Sequence, residues 1–138
     1  MNTIDTISSH CVPDGDRVSL TTQLFGMHFP MQLEPFVFDM AGRLSSDYTS
    51  GYWKFYALSN GGFYMAPQSD RNFHVASENG YQGQLSADAL GITACLYAYS
   101  HLSFTDGEMA QTYAQQYHWL RDYLMMHAEV RAILGATD

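Results

Sequence analysis

A hairpin signature near the middle of the chain constrains the fold more than any other feature. The segment Gly51–Pro67, GYWKFYALSNGGFYMAP, consists of two aromatic-rich runs separated by Asn60-Gly61. Asn-Gly between apolar runs predicts a two-residue type I′ turn, because both central residues of that turn take positive φ. The turn therefore predicts an antiparallel hairpin at the centre of the fold. The predicted cross-strand pairs are Leu58 with Phe63, Ala57 with Tyr64, Tyr56 with Met65 and Phe55 with Ala66.

Both faces of the predicted hairpin are apolar. An antiparallel sheet with one face in water alternates apolar and polar residues, whereas Lys54 is the single charged residue of this segment. The hairpin is therefore either covered by helices on both faces or keeps one aromatic face for a partner. Aromatic side chains are enriched in interfaces, and they also dominate hydrophobic cores. The candidate interaction surface, at one face or the tip of the hairpin, is Tyr52, Trp53, Lys54, Tyr56, Asn60, Phe63 and Tyr64.

The segments that flank the hairpin predict helices that cover it. Residues 33–44 repeat apolar side chains at intervals of three and four, and Pro35 is tolerated in the first turn of a helix. Ser86 is a favourable N-cap for a helix to about Leu102 that is apolar on all sides and is therefore expected to be buried. Further predicted elements are a short helix or irregular packed segment at 18–29, a helix from about Thr105, and a helix over 128–134 closed by Gly135.

The order of these elements predicts the fold class. Residues 72–77 alternate Phe73 and Val75 with smaller or polar residues and are predicted as a third strand, followed by a loop at 78–84. The predicted fold is α+β, with a small antiparallel meander of about three strands packed with about four to five helices. Residues 18–138 are predicted to form a single domain after a loosely held polar arm, residues 1–17.

Charge and cysteine content limit the classes of function. Lys and Arg total 6 against 14 Asp and Glu, which gives a net charge of −8 and argues against simple phosphate binding. The acidic residues are dispersed over 1–47 and 86–138, while 48–85 is neutral, a distribution unlike a regularly charged DNA mimic. The N-terminus lacks a secretory signal and no apolar run is long enough for a membrane span, so we expect a cytoplasmic protein in which Cys11 and Cys95 are free thiols.

No arrangement of residues in the sequence assembles an active site. His118 and Asp122 lie four residues apart on a predicted helix with His127 nearby, but their spacing fixes no third metal ligand. Phosphate-cradling glycines join a strand to a helix, whereas Asn60-Gly61 joins two strands. No catalytic, metal-binding or cofactor-binding residue is predicted, and we expect a protein that acts by binding. The alternative is a small cytosolic hydrolase or nuclease-like enzyme that uses His118, Asp122 and His127.

The central block of the sequence resembles a known family. The residues concerned are Phe36–Met40 with Arg43-Leu44, Gly51–Trp53, Phe55-Tyr56 and Leu58–Pro67, with weaker similarity at Ser86–Tyr99 and Tyr117–Glu129. These segments span roughly residues 33–134 and look like the ArdB/KlcA family of antirestriction proteins, which plasmids, prophages and other mobile elements carry. The resemblance implies a compact fold with a small antiparallel sheet, and it implies no catalytic residues.

The resemblance also implies a function. Members of the family help incoming DNA escape the type I restriction–modification enzymes of the host. We therefore expect an interaction protein that inhibits type I restriction, directly or through another host protein, so that incoming unmodified DNA survives. The dispersed acidic residues argue against extended DNA mimicry, and no stable direct DNA binding is expected. The oligomeric state is left open.

Overall fold

The α+β fold class is confirmed. A computed structural model describes residues 6–105 and 107–138 of the chain. The strands are β1 (Ser9–Cys11), β2 (Trp53–Leu58), β3 (Phe63–Pro67), β4 (Asn72–Ala76) and β5 (Gln82–Ser86). The α-helices are α1 (Arg17–Phe25), α2 (Glu34–Leu44), α3 (Ala87–Ser103), α4 (Ala110–Leu124) and α5 (Val130–Thr137). A 3₁₀ turn at Asp14–Asp16 precedes α1, and a π-helical turn at Phe29–Leu33 joins α1 to α2.

The strands form two antiparallel sheets, and this corrects the predicted meander. One sheet has the order β1-β2-β3, and the other pairs β4 with β5. The third strand beside the central hairpin is therefore β1, from the stretch predicted as a loose arm, where His10 pairs with Ala57. Residues 1–5 of that predicted arm lie outside the described residues. The predicted third strand instead pairs with β5, which begins within the predicted loop at 78–84 and extends to Ser86.

The register of the β2–β3 hairpin differs by one residue from the prediction. The Leu58 N–H donates to Gly62 O (2.9 Å) and the Gly61 N–H donates to Leu58 O (3.0 Å), so that three residues form the loop. Gly61 has φ +101°, whereas Asn60 does not have positive φ, so the type I′ turn is wrong. The Asn60 side chain instead accepts from the Gly62 N–H (2.9 Å) and donates to the carbonyl of Trp119 on α4 (2.9 Å).

The corrected register changes which side chains share a face. Tyr56 pairs with Tyr64 and Phe55 pairs with Met65. A shift of one residue moves every side chain of a strand to the opposite face. Tyr64 therefore lies beside Tyr56 and Lys54, while Phe63 lies on the face of Phe55.

Helices cover both faces of the hairpin, and one of the two predicted covers, α3, packs directly on β3. The Phe55 and Phe63 face is covered by Phe25 of α1 and Phe29 of the π-helical turn, with ring centroids 5.4–5.8 Å apart. Helix α2, which corresponds closely to its predicted bounds, packs mainly on α3. On the opposite face Tyr64 stacks against Tyr123 of α4. The apolar hairpin is thus largely the core of the fold.

Helix α3 is buried against β3, as its all-round apolar sequence predicts. Gly91 lies so close to β3 that a methyl group there would be 2.5 Å from the Cα of Ala66. One turn later Cys95 Sγ contacts the carbonyl of Met65 (3.7 Å), and after another turn the Tyr99 hydroxyl donates to Phe63 O (2.8 Å). The predicted N-cap is confirmed, since Ser86 Oγ accepts from the Ala89 N–H (3.2 Å).

The C-terminal helices depart from their predicted bounds. Helix α4 begins at Ala110, later than predicted; Asp106, in the predicted first turn, lies outside the described residues. Helix α5 continues through Gly135 to Thr137, so the prediction of Gly135 as the residue that closes it is wrong. Within the described part of the chain, no helix combines the length and the apolar character that crossing a membrane requires.

Candidate functional site

The predicted interaction surface contains residues with very different exposure. Trp53, Phe63 and Tyr64 are 3%, 0% and 1% exposed, and their burial removes all three from any surface that a partner could contact. The Trp53 indole N–H donates to the hydroxyl of Tyr48 (3.0 Å), so its polar atom is also satisfied internally. These residues are core because the corrected register and the covering helices enclose them.

The other residues of that predicted surface lie in different places. Asn60 holds the hairpin turn to α4 through the Trp119 carbonyl. Tyr52 is exposed, but its hydroxyl donates to Asp14 and its ring stacks under the Arg17 guanidinium, 4.7 Å from the ring centroid. The hydrogen bond to Asp14 raises the pKa of Tyr52. The structure therefore brings together only Lys54 and Tyr56 as half-buried neighbours on one face of β2.

Lys54 and Tyr56 line a cleft that we call the polar cleft. Its volume is about 320 Å³, and it lies between the hairpin, the loop after β3 and the first turn of α3. Its lining residues are Lys54, Tyr56, Ala66, Pro67, Gln68, Ser69, Asp70, Ala87 and Asp88. The Lys54 ammonium forms no salt bridge with any described residue. The cleft therefore offers a cation and the polar groups of a loop to a ligand.

One wall of the polar cleft is a stack of tyrosines fixed to α3. The rings of Tyr56 and Tyr64 are nearly parallel, with an interplanar angle of 13° and centroids 4.7 Å apart. The buried Tyr64 hydroxyl donates to Asp88 Oδ1 (2.7 Å). Burial, followed by the nearby Asp88 carboxylate, raises the pKa of Tyr64, so this hydroxyl remains a hydrogen-bond donor. Tyr56 is thus held in position by a rigid neighbour.

The same carboxylate connects α3 to the segment between α4 and α5. His127 Nε2 lies 2.8 Å from Asp88 Oδ2, and the Glu129 N–H donates to His127 Nδ1 (3.0 Å). Because Nδ1 accepts a hydrogen bond, the geometry assigns the ring proton to Nε2. The Glu129 carboxylate accepts from both the backbone N–H of Ser86 (2.9 Å) and its hydroxyl. We call this set, Ser86, Asp88, His127 and Glu129, the α3 clasp.

The α3 clasp leaves the hydrolase hypothesis without the geometry that it requires. Both ring nitrogens of His127 are engaged, so neither is oriented toward a nucleophile. His118 is exposed and its ring lies edge-on to Tyr117 (5.6 Å), and its partner in the hypothesis, Asp122, is exposed as well. Among the described residues no group of three or more His, Cys, Asp and Glu side chains is placed to hold a metal ion.

Sequence reasoning missed most of the side chains that build the polar cleft. Asp88 has a sequence signal only as an acidic residue in the first turn of α3, where it suits the helix dipole. The loop residues Gln68–Asp70 and the clasp residue Glu129 carry no local signal, because tertiary packing alone brings them to the site. The fold and the cleft define a small α+β protein with a preformed polar cleft beside its central hairpin.

Comparison with known proteins identifies the family. A family model described as "Antirestriction protein" matches residues 46–138. The antirestriction protein KlcA of Escherichia coli is 40% identical over 132 residues, which cover 92% of this chain and 90% of KlcA. The protein YafX of Escherichia coli strain K12 is 41% identical over 134 residues, which cover 92% of this chain and 85% of YafX.

A solved structure agrees over the whole chain. It is described as a structure of the KlcA and ArdB proteins that shows a novel fold and antirestriction activity against type I DNA restriction systems in vivo but not in vitro. The similarity has a TM-score of 0.90 at 37% identity and covers 100% of both chains. The chain therefore belongs to the ArdB/KlcA family of antirestriction proteins.

Proposed function

We propose that this protein is an antirestriction factor of a mobile element that acts in the cytoplasm of the host. It inhibits the type I restriction–modification system, so that incoming unmodified DNA survives. The observation that carries this proposal is the full-length similarity to the KlcA and ArdB structure, with a TM-score of 0.90, because those proteins have antirestriction activity against type I systems.

We infer that inhibition depends on protein interaction and not on extended DNA mimicry. A DNA mimic needs unpaired acidic groups at regular spacing, whereas several carboxylates here are engaged within the protein. Asp39 pairs with Arg43 (2.9 Å), Asp88 belongs to the α3 clasp, and Asp14 lies 3.4 Å from the Arg17 guanidinium. Segment 48–85 is neutral, so the acidic residues also do not follow one another regularly along the sequence.

The polar cleft is the proposed contact site. Interfaces favour tyrosine side chains that packing holds in place, and Tyr56 stacks on the buried Tyr64. Lys54 beside it adds a positive charge that forms no salt bridge with a described residue and can pair with an acidic group of a partner. The structurally similar proteins are active in vivo but not in vitro, which supports a partner or state present only in the cell. The partner is the type I restriction complex in its cellular setting or another host protein that controls it.

The test is the plating efficiency of unmodified phage on cells that carry a type I system and express the protein. We expect the wild-type protein to raise plating efficiency, while phage already modified by the same system plates equally with or without it. Lys54→Glu reverses the charge in the polar cleft and is expected to abolish protection. Arg131→Glu is the matched control, because Arg131 is exposed on α5 outside the polar cleft.

The possible outcomes test the antirestriction function and the proposed contact site independently. No protection by the wild-type protein against several type I systems would refute the function itself. Protection by the wild-type protein and by a folded Lys54→Glu variant alike would refute only the polar cleft as the contact site. If Lys54→Glu fails to fold, Gln68→Arg places a bulky cation in the same cleft from an exposed loop position and makes the same distinction.

A further inference from the structure

We propose that a groove between α1, the π-helical turn and β2 binds a basic amphipathic helix of a partner protein. This methionine groove is separate from the polar cleft and has a volume of about 360 Å³. Its lining residues are Arg17, Val18, Thr21, Thr22, Gly26, Met27, Phe29, Pro30, Glu34 and Phe55. The proposal goes beyond the antirestriction function, because it assigns a second surface and the chemical class of its partner.

Large apolar side chains at the methionine groove are exposed. Val18 and Met27, which line the groove, are 77% and 71% exposed, and Met31, which follows the lining residue Pro30 in the chain, is 74% exposed. Contiguous exposed apolar side chains mark interaction sites more often than ordinary surface. Methionine is flexible and polarizable, and it adapts to the apolar face of helices of differing sequence. Phe29 and Phe55, both nearly buried, form an apolar floor beneath these side chains.

The backbone at the methionine groove is shaped by glycine and proline. Gly26 ends α1 with φ +59°, a conformation that side chains rarely tolerate. Pro30, which lacks a backbone N–H, lies within the π-helical turn Phe29–Leu33, in which the Glu34 N–H donates to Phe29 O, and Pro35 follows in the first turn of α2. Such turns occur frequently at functional sites. The Met31 N–H bonds to Met27 O (3.2 Å), so these two side chains lie one helical turn apart, a spacing that suits an i, i+4 ridge of a bound helix.

The charges at the methionine groove favour a cationic partner. Glu34 lines the groove, and burial raises the pKa of its carboxyl, so an incoming ammonium or guanidinium would restore a favourable environment for its charged form. The exposed Asp14 and Asp16 lie at the end of α1 that carries Arg17. The Arg17 guanidinium, which also lines the groove, is 3.4 Å from Asp14, donates to Trp53 O (2.6 Å) and stacks on the Phe55 ring, so Asp14 compensates its charge and Glu34 and Asp16 are the acidic groups left for a partner. Acidic groups around an apolar floor complement a basic amphipathic helix.

The test uses a synthetic peptide of leucine and lysine, about 18 residues long, whose leucines follow helical i, i+3, i+4, i+7 spacing. A peptide of the same composition in scrambled order is the control for charge alone. Binding to the full chain is measured by fluorescence anisotropy, and the contact is located by NMR of ¹³C-methyl methionine. We expect the methyl signals of Met27 and Met31 to shift, while those of the exposed Met125 and Met126 on the α4–α5 segment do not.

Matched variants measure the contribution of the groove. The double variant Met27→Gln with Met31→Gln is expected to weaken peptide binding roughly tenfold, because two exposed anchors become polar. The corresponding double variant Met125→Gln with Met126→Gln is expected to bind as the wild type does. Glu34→Gln is expected to weaken binding several-fold at low salt and less at high salt.

Three outcomes overturn the proposal. The first is equal affinity for the scrambled peptide, and the second is unchanged affinity of the Met27 and Met31 double variant. The third is self-association of the wild-type chain in sedimentation that this double variant abolishes, which would make the groove an interface between two copies of the chain. All of these variants change exposed or half-buried side chains, so a folded protein is expected in each case.

Discussion

Replacing Gly91 by alanine tests the contact on which the core is built. Alanine is favoured over glycine within a helix by about 0.8–1.0 kcal/mol, so helix propensity alone predicts that the substitution increases the free energy of unfolding. A methyl group at Gly91 would instead lie 2.5 Å from the Cα of Ala66 and against the carbonyl oxygen of Met65. Comfortable contacts between carbon atoms are about 3.5–4.0 Å. Since the obstructing atoms are backbone, the whole of α3 must move away from β3 by about 1 Å.

That movement sets the magnitude of the effect. Overpacking a core costs about 1–3 kcal/mol, occasionally more, and displacement of α3 also weakens the hydrogen bond from Tyr99 to Phe63 O. We expect a net loss of about 2–3 kcal/mol in the free energy of unfolding, with a fall in Tm of roughly 6–10 °C.

Urea and thermal denaturation followed by circular dichroism measure this loss. Gly42→Ala is the matched control, because Gly42 is exposed on α2 and a methyl group there meets no atom within 4 Å. Gly42→Ala should increase stability by up to about 1 kcal/mol. If Gly91→Ala were as stable as Gly42→Ala, the close packing of α3 on β3 would be refuted.

Three further predictions concern single side chains. Glu129→Ala removes both hydrogen bonds to Ser86 and should lower the free energy of unfolding, measured by urea denaturation, by about 2–3 kcal/mol. Glu129→Gln keeps one acceptor oxygen and should lower it by about 1 kcal/mol, and equal losses would contradict the two hydrogen bonds to Ser86. Because burial raises the pKa of Glu34 above 4.5, the ionised carboxylate destabilises the folded state. Glu34→Gln should therefore raise Tm at pH 7 and lose this advantage below pH 4.5, and a difference in Tm that does not depend on pH would contradict the raised pKa. Burial raises the pKa of the Cys95 thiol to about 12, so Ellman's reagent should react with the exposed Cys11 alone in the native chain and with both thiols in urea. Rapid reaction of both thiols in the native chain would contradict the burial of Cys95.

The elements that the sequence predicts well are those whose own residues determine them. Helix α3 has an N-cap serine and an apolar surface on all sides, so its start and its burial are both predictable from its own residues. The position of the hairpin is predictable for a similar reason, since its Asn-Gly turn lies between two apolar runs. The turn type is not predictable in this way, because Asn60 bonds to the carbonyl of Trp119, a contact that depends on α4 and not on the local Asn-Gly preference.

The two missed strands lack a local signal. Strand β1 is only Ser9–Cys11 and belongs to a polar segment, yet it pairs with β2 along the open edge of the hairpin. In β5 the sequence QGQLS contains a single fully buried side chain, Leu85, so alternation is not visible. An edge strand of this kind is stabilised by backbone hydrogen bonds to its neighbour, which composition does not reveal.

The one-residue register error explains why the candidate site was predicted only in part. In the predicted register Tyr64 and Tyr56 lie on opposite faces, whereas in the structure they stack and connect the polar cleft to Asp88. The α3 clasp adds residues separated by 39 and 43 positions in the chain, and no periodicity relates them. Sites assembled at such separations become visible only when the fold is known.

The corrected hairpin also relates the two proposed surfaces to each other. Successive residues of a strand point to opposite faces of the sheet. Lys54 and Tyr56 therefore face the polar cleft, while Phe55, between them, forms part of the floor of the methionine groove. A single helix from a partner cannot occupy both surfaces, because the buried sheet lies between them. Two partner segments, or two partners, are needed to occupy both, because the buried aromatic residues of the hairpin form a core that separates the two surfaces.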